Sequence, residues 1–208
     1  MSYGFDGPVN VNLDVGGASV VLTKERVYTA KQGDSWRIPA GFRTDFATIP
    51  TVLSWAIAKL GLWTLAAIVH DLLCEGLNKW HRAVQEVIAG THDGFVWDDA
   101  RENVIQIRLA DGTLVDRPTA SAVDADQLFL RIARDHGADP VSAEILYVGV
   151  RLGALANPAR RAGWPRTAPR VVGSGLLLLI PLFIPTVLAV VGRGLLALAR
   201  IVVRLIRR

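Results

Sequence analysis

The order of apolar and polar positions divides this chain into three stretches of different character. Between residues 8 and 38 the apolar positions alternate, as in "VNVNLDV", or gather in short β-rich runs such as "SVVLT" and "RVYTA". Gly16-Gly17 and Gly33-Asp34 supply turns between them, which predicts a small sheet of short strands. "AGFRTDFATIP" follows as a loop, and Pro50 suits the first turn of a helix running to about Leu60. From residue 62 the period changes from two to 3.6. "WTLAAIVHDLLCEG" predicts a helix over roughly 62–75 that ends near Gly76, and "RAVQEVIAG" a short third helix.

Residues 94–116 return to alternation. "VIQIRLADGTLVD" has apolar positions on both sides of Asp111-Gly112, a hairpin signal that reads as a β excursion inserted between helices. "SAVDADQLFLRIARDHG" is then a well-marked helix. Ser121 and Asp124 form a capping-box pattern at its start, and Gly137 stands where a helix stops. "PVSAEILYVGVRLGALAN" predicts a further helix from Pro140. The expected fold class is therefore α+β over residues 1–156: a small N-terminal β-sheet, then a helical core with an inserted β-hairpin.

Beyond this body the pattern changes again. Residues 157–170 are rich in proline and arginine and read as a linker. Residues 171–192 carry no charge over 22 positions, close to the roughly 20 apolar residues that span a bilayer core, so a C-terminal membrane helix is expected there. Pro181 and Pro185 would kink it. Residues 193–208 carry arginines at 193, 200, 204, 207 and 208, which fall within about 100° of a helical wheel opposite an aliphatic face. This is the pattern of a basic amphipathic helix lying at a bilayer interface. A lipid bilayer is accordingly the partner expected for 171–208.

Charge sharpens the division. Residues 1–150 hold all 19 acids and 13 of the 23 Lys and Arg, a net of −6, whereas residues 151–208 hold ten arginines and no acid, a net of +10. The acidic body argues against nucleic-acid binding there. A single cysteine, Cys74, excludes an intrachain disulfide framework. "MSYGFDGPVN" lacks the basic and apolar regions of a signal peptide, so a membrane-associated location, in a bacterial inner membrane or a virion, would use the C-terminal segment.

Two residues are out of place on their wheels. Trp63, Ala66, Ala67, Leu73 and Cys74 lie within about 60° of His70, so His70 belongs to the apolar side of its helix, while Asp71 joins a polar strip with Thr64 and Glu75. Asp126 sits in the middle of an apolar face made by Ala122, Phe129, Leu130 and Ala133. A carboxylate there is costly unless paired. The economical expectation is that Asp126 accepts the Nδ1–H of His70, leaving Nε2 free to activate water. The alternative is a satisfied core contact, with Arg43 or another arginine neutralising Asp126. Asp71 and Asp45 are the candidate ligands for a divalent cation such as calcium, which favours carboxylate oxygen. Asp45 and Thr48 equally suit local turn hydrogen bonds. Cys74 reads as a small hydrophobe, since no zinc-ligand spacing accompanies it.

The set "GFRTDFATIP", "AAIVHDLLC", "DADQLFLRIARDHGA" and "YVGVRLGA" resembles an uncharacterised domain family of phages and prophages, over about residues 8–153. That family's pattern runs G-x-x-T-D-F-A-[ST]-[IV]-P, H-D-x-L-Y, A-D-x-x-F and a closing V-R helix. The resemblance implies phage ancestry and phage or injection-device proteins as partners, without an established activity. Cys74, in place of the usual aromatic, and the 94–116 excursion depart from it. In site logic the chain is also similar to phospholipases A2, which place H-D on one helix and a partner Asp on another. Carried over, that similarity implies His70 as base, Asp126 as its orienting acid and Asp71 as a calcium ligand. The upstream Gly-rich calcium loop and the disulfides are missing. Two functions follow as expectations: a membrane-anchored phage-type His-Asp hydrolase acting on lipid or another envelope ester, or a non-catalytic structural or adaptor protein of a phage particle or injection device that engages the membrane.

Overall fold

A computed structural model describes residues 3–13, 19–44, 63–90, 94–98 and 103–177. The chain divides into two compact units, Met1–Ala168 and Pro169–Arg208. The first unit is α+β, as the alternation and the 3.6-residue periods require.

Its N-terminal part holds two three-stranded antiparallel sheets. The first has the order β1 (Gly4–Phe5), β4 (Arg26–Thr29), β5 (Ser35–Ile38). Its register places Phe5, Tyr28 and Trp36 in one row, and the Tyr28 ring packs 5.2 Å from Phe5 and 6.3 Å from Trp36 between ring centroids. The second sheet has the order β2 (Val11–Leu13), β3 (Val20–Leu22), β6 (Arg43–Thr44). Gly41, at φ 81°, turns the chain into β6, and its N–H donates to the Leu22 carbonyl at 2.8 Å. Thr44 is thereby paired with Val20, and both are buried.

Helix α1 runs from Thr64 to Ile88 without interruption. The expected stop at Gly76 and the separate third helix are corrected by this. Gly76 keeps a helical backbone at a cost of about 1 kcal/mol relative to alanine, and the flanking Glu75–Lys79 pair at 2.6 Å supports the turn it sits in. The chain leaves the helix at Gly90, which adopts φ 73°. A three-stranded sheet then occupies the predicted excursion, in the order β7 (Phe95–Asp98), β8 (Asn103–Arg108), β9 (Leu114–Asp116). Its turn is built as the Asp-Gly signal predicts: Gly112 takes φ 85°, and the Thr113 N–H donates to Asp111 Oδ1 at 2.9 Å. Ile107 of β8 is fully buried.

Helix α2 (Ala122–Asp135) starts in the capping box read from Ser121 and Asp124. Helix α3 (Pro140–Ala156) is capped by Asp139, whose Oδ1 accepts from the Val141 and Ser142 N–H groups. The core joins Val20, Leu22, Tyr28 and Ile38 of the sheets to the apolar sides of the helices. Fully buried Ala66 and Ala67 of α1 and Ala125 and Ala133 of α2 carry almost no bulk. Alanines at such positions let two helices approach closely, and α1 and α2 pack on one another.

The expected C-terminal membrane helix is corrected. Among the described residues no helix is long and apolar enough to cross a membrane. Helical backbone begins at Trp164, inside the stretch read as a linker, so the helical run over 164–177 carries Arg166 and Arg170 along with its apolar residues. That run is 14 residues, and only 171–177 of it belong to the expected span, short of the roughly 20 apolar residues that cross a bilayer core. Within the second unit, 169–177 is helical, and 178–208, with most of the expected span and all of the basic tail, lies outside the described residues.

Candidate functional site

The two residues out of place on their wheels do meet. His70 of α1, 4 % exposed, places Nε2 2.7 Å from Oδ1 of Asp126 of α2, which is 0 % exposed. The ring is presented the opposite way to the expectation. Nε2, the nitrogen expected to be free, holds Asp126, and Nδ1 faces Asp71 Oδ1 at 3.5 Å. Both ring nitrogens therefore look at carboxylates. Phe129, one turn after Asp126, packs its ring 5.3 Å from the imidazole. Cys74, one turn after His70, places Sγ 3.5 Å from Nε2.

Asp126 has two further partners. Arg151 of α3, also 0 % exposed, donates from Nη1 to Oδ2 at 2.6 Å. Arg160, 12 % exposed at its side chain, donates from Nη2 to Oδ1 at 2.8 Å and to the Val150 carbonyl at 3.2 Å. Arg151 is braced in turn: its Nε and Nη2 donate to Thr167 Oγ1 at 3.1 and 3.0 Å, and that hydroxyl donates to the Trp164 carbonyl at 3.2 Å. On the other side of the imidazole, the Thr44 hydroxyl donates to Asp71 Oδ2. A continuous polar chain thus crosses the core from β6 through α1 and α2 to α3 and residues 160–167.

The proton positions follow from the partners. Burial pushes the His70 pKa down, but its hydrogen bonds to Asp126 and then Asp71 outweigh this and hold it well above the usual histidine value. Burial likewise raises the Asp126 carboxyl, and the hydrogen bond and charge of His70, the charge of Arg160 and the hydrogen bond from Arg151 overcome it, so its pKa is lowered. An ionised Asp126 requires a hydrogen on Nε2. Arg160 Nη2 lies 3.3 Å from that nitrogen, and the two are best understood as donors sharing Asp126 Oδ1. The raised pKa favours the protonated ring, so His70, Arg151 and Arg160 converge on Asp126, while Asp71 stands at Nδ1 of His70.

This arrangement bears on each residue singled out in the sequence. His70 and Asp126 are paired. Asp71 is on the same network, bonded to Thr44 and beside His70. Asp45 lies outside the described residues. Arg43 is not the partner of Asp126; its guanidinium reaches Ser19 at 3.4 Å. Ligand atoms of His70, Cys74 and Asp126 lie within 4.8 Å of one another, a spacing that can hold a metal ion. The charges oppose that use, because two guanidinium groups and an imidazolium already compete for the one carboxylate among those three. Arg151 was legible by the test that flagged Asp126, since it follows the buried Ala143 and Tyr147 at intervals of four along α3. Arg160 stands in an aperiodic, arginine-rich stretch, where no such signal exists.

Residues 20–150 match a family described as "Protein of unknown function (DUF1353)". The chain belongs to this family. Comparison with curated proteins and with solved structures finds no match. The DUF1353 match takes in Thr44, His70, Asp71, Cys74, Asp126 and Phe129, and it stops one residue before Arg151. Arg151, Arg160 and Thr167, which close the network, thus come from beyond the matched residues. Among the described residues one groove opens beside Phe42, Arg43 and Lys79 and another beside Val123, Gly163 and Arg166. Neither His70 nor Asp126 lines either of them.

Proposed function

We propose that the chain is a non-catalytic structural or adaptor protein of a phage-type assembly, in which the His70–Asp126 pair is a core staple. One observation carries this reading: the imidazole is buried, with Nε2 on Asp126 and Nδ1 facing Asp71. A general base needs an unprotonated nitrogen within reach of water and substrate. Here the nitrogen that would serve is occupied and capped by Arg160. A calcium-dependent lipase also needs carboxylate oxygens left for the cation, and Asp71 and Asp126 spend theirs on Thr44, His70 and two arginines. The phage setting comes from the resemblance of the motifs.

The test sets the full chain against its His70→Gln variant in a screen of phospholipid vesicles and envelope esters, with and without calcium. The staple reading expects no product from either protein, together with reduced stability of the variant. Product that depends on His70 in a variant that still folds overturns it in favour of the hydrolase.

A further inference from the structure

Residues 157–167 follow α3, and Arg160 in this stretch reaches both His70 and Asp126. The stretch is fastened by polar contacts at three places. Asn157 Nδ2 donates to Asn78 Oδ1 of α1 at 2.9 Å. Arg160 reaches Asp126 and the Val150 carbonyl. Thr167 receives Arg151, whose guanidinium also lies 5.6 Å from the Trp164 ring centroid. Between these points the packing is poor. A groove of about 870 Å³ separates Ala159, Ala162, Pro165 and Arg166 on this side from residues such as Gln127 of α2 and Leu77 of α1. The stretch touches α2 closely at Gly163, where an added Cβ would stand 2.5 Å from Val123 Cγ2. Arg160 Nε is buried without a hydrogen-bond partner, and its Nη2 is the third donor to Asp126.

We propose that residues 157–163 of this stretch form a latch that opens as a unit, with Trp164 to Thr167 staying helical and held on Arg151, while the rest of the first unit stays folded, and that its opening uncovers His70, Cys74 and Asp126. Segments held by a few polar contacts over little buried apolar surface open at low free energy. Arg160 is the switch point. It contacts the same imidazole nitrogen as Cys74 Sγ, so its departure bares both. Closed, the network is a sealed staple; open, it presents a His-Asp pair to solvent. The latch builds on the closed network, and its test does not depend on whether that network is catalytic.

Cys74 is a built-in reporter, because the sequence has no other thiol. Labelling of the native full chain with a thiol reagent is followed across urea concentrations well below unfolding. A latch predicts labelling with a urea dependence below about half that of global unfolding. Arg160→Ala should label roughly 10- to 100-fold faster, and Asn78→Ala roughly fivefold faster, each removing one fastening. Ile38→Val, a core change in β5, should lower global stability and leave the labelling rate unchanged. Labelling that follows the full global urea dependence in the wild-type chain, or that speeds up in Ile38→Val as much as stability falls, overturns the latch. The wild-type urea dependence decides the matter even if Arg160→Ala does not fold.

Discussion

Replacing Asp126 with asparagine keeps the shape of the side chain and deletes its charge. Arg151 is then a fully buried cation that no carboxylate neutralises, held by Thr167 and by at most the one amide oxygen of the substituted side chain. Removing one partner of a buried pair costs about 3–5 kcal/mol. Two adjustments soften the loss here. His70 is held protonated chiefly by Asp126 and can release its proton, and Arg160, the least buried of the three cations, can turn toward water. The expected cost is therefore roughly 3 kcal/mol, the lower end of that range. For a unit of this size that corresponds to a fall in Tm of roughly 6–12 °C. Urea unfolding followed by circular dichroism at 222 nm and pH 7 measures it. A triple variant, Asp126→Leu with Arg151→Met and His70→Leu, removes the buried charges together and should recover most of the loss, because well-packed apolar replacements of buried ion pairs are often neutral or stabilising. An Asp126→Asn protein within about 1 kcal/mol of wild type would refute the reasoning, since a buried unpaired arginine cannot be that cheap.

The folded-state pKa of His70 is raised above the unfolded value of about 6.5. Its contribution is fully present below that pH and is lost as pH rises through the folded value; Tm should decline as pH rises above about 6.5 in wild type and be flatter in His70→Gln. His136 works in the opposite sense: burial first of all lowers its pKa, so the folded state binds fewer protons and His136→Gln should relieve a loss of stability below about pH 6.5. Tyr28 is pushed up to about 12, first by burial and then by the charge of Asp135, and titration at 295 nm should show a component near that pH which disappears in Tyr28→Phe. Ser121→Ala removes both the hydroxyl that accepts from the Asp124 N–H and its bond to the Asp124 carboxylate, and should cost about 1 kcal/mol by urea unfolding.

How much of this was legible depends on whether a residue sits on a periodic element. The wheel identifies His70 and Asp126 because each interrupts an apolar stripe, and an interruption on two helices is informative when both must enter the same core. The same reasoning identifies Arg151, yet the charge asymmetry drew it into the basic C-terminal portion, although it is the last buried link of the body. The wheel is silent on which face of the imidazole meets Asp126. That choice turns on a rotation about the side-chain bonds of His70, set by Asp71 and Thr44 on one side and Arg160 on the other, and those contacts join segments far apart in the sequence. Gly76 misled for a related reason: glycine marks a helix end only where the backbone needs positive φ, and tertiary packing of α1 overrides its low propensity. Arg160 belongs to an irregular stretch whose contacts leave no period. Yet that arginine touches both members of the pair. Arg160 caps both His70 Nε2 and Asp126 Oδ1, and the opening we propose is what would turn these two residues toward solvent. The contact that covers His70 and Asp126 is thus supplied by a residue past the end of the family match.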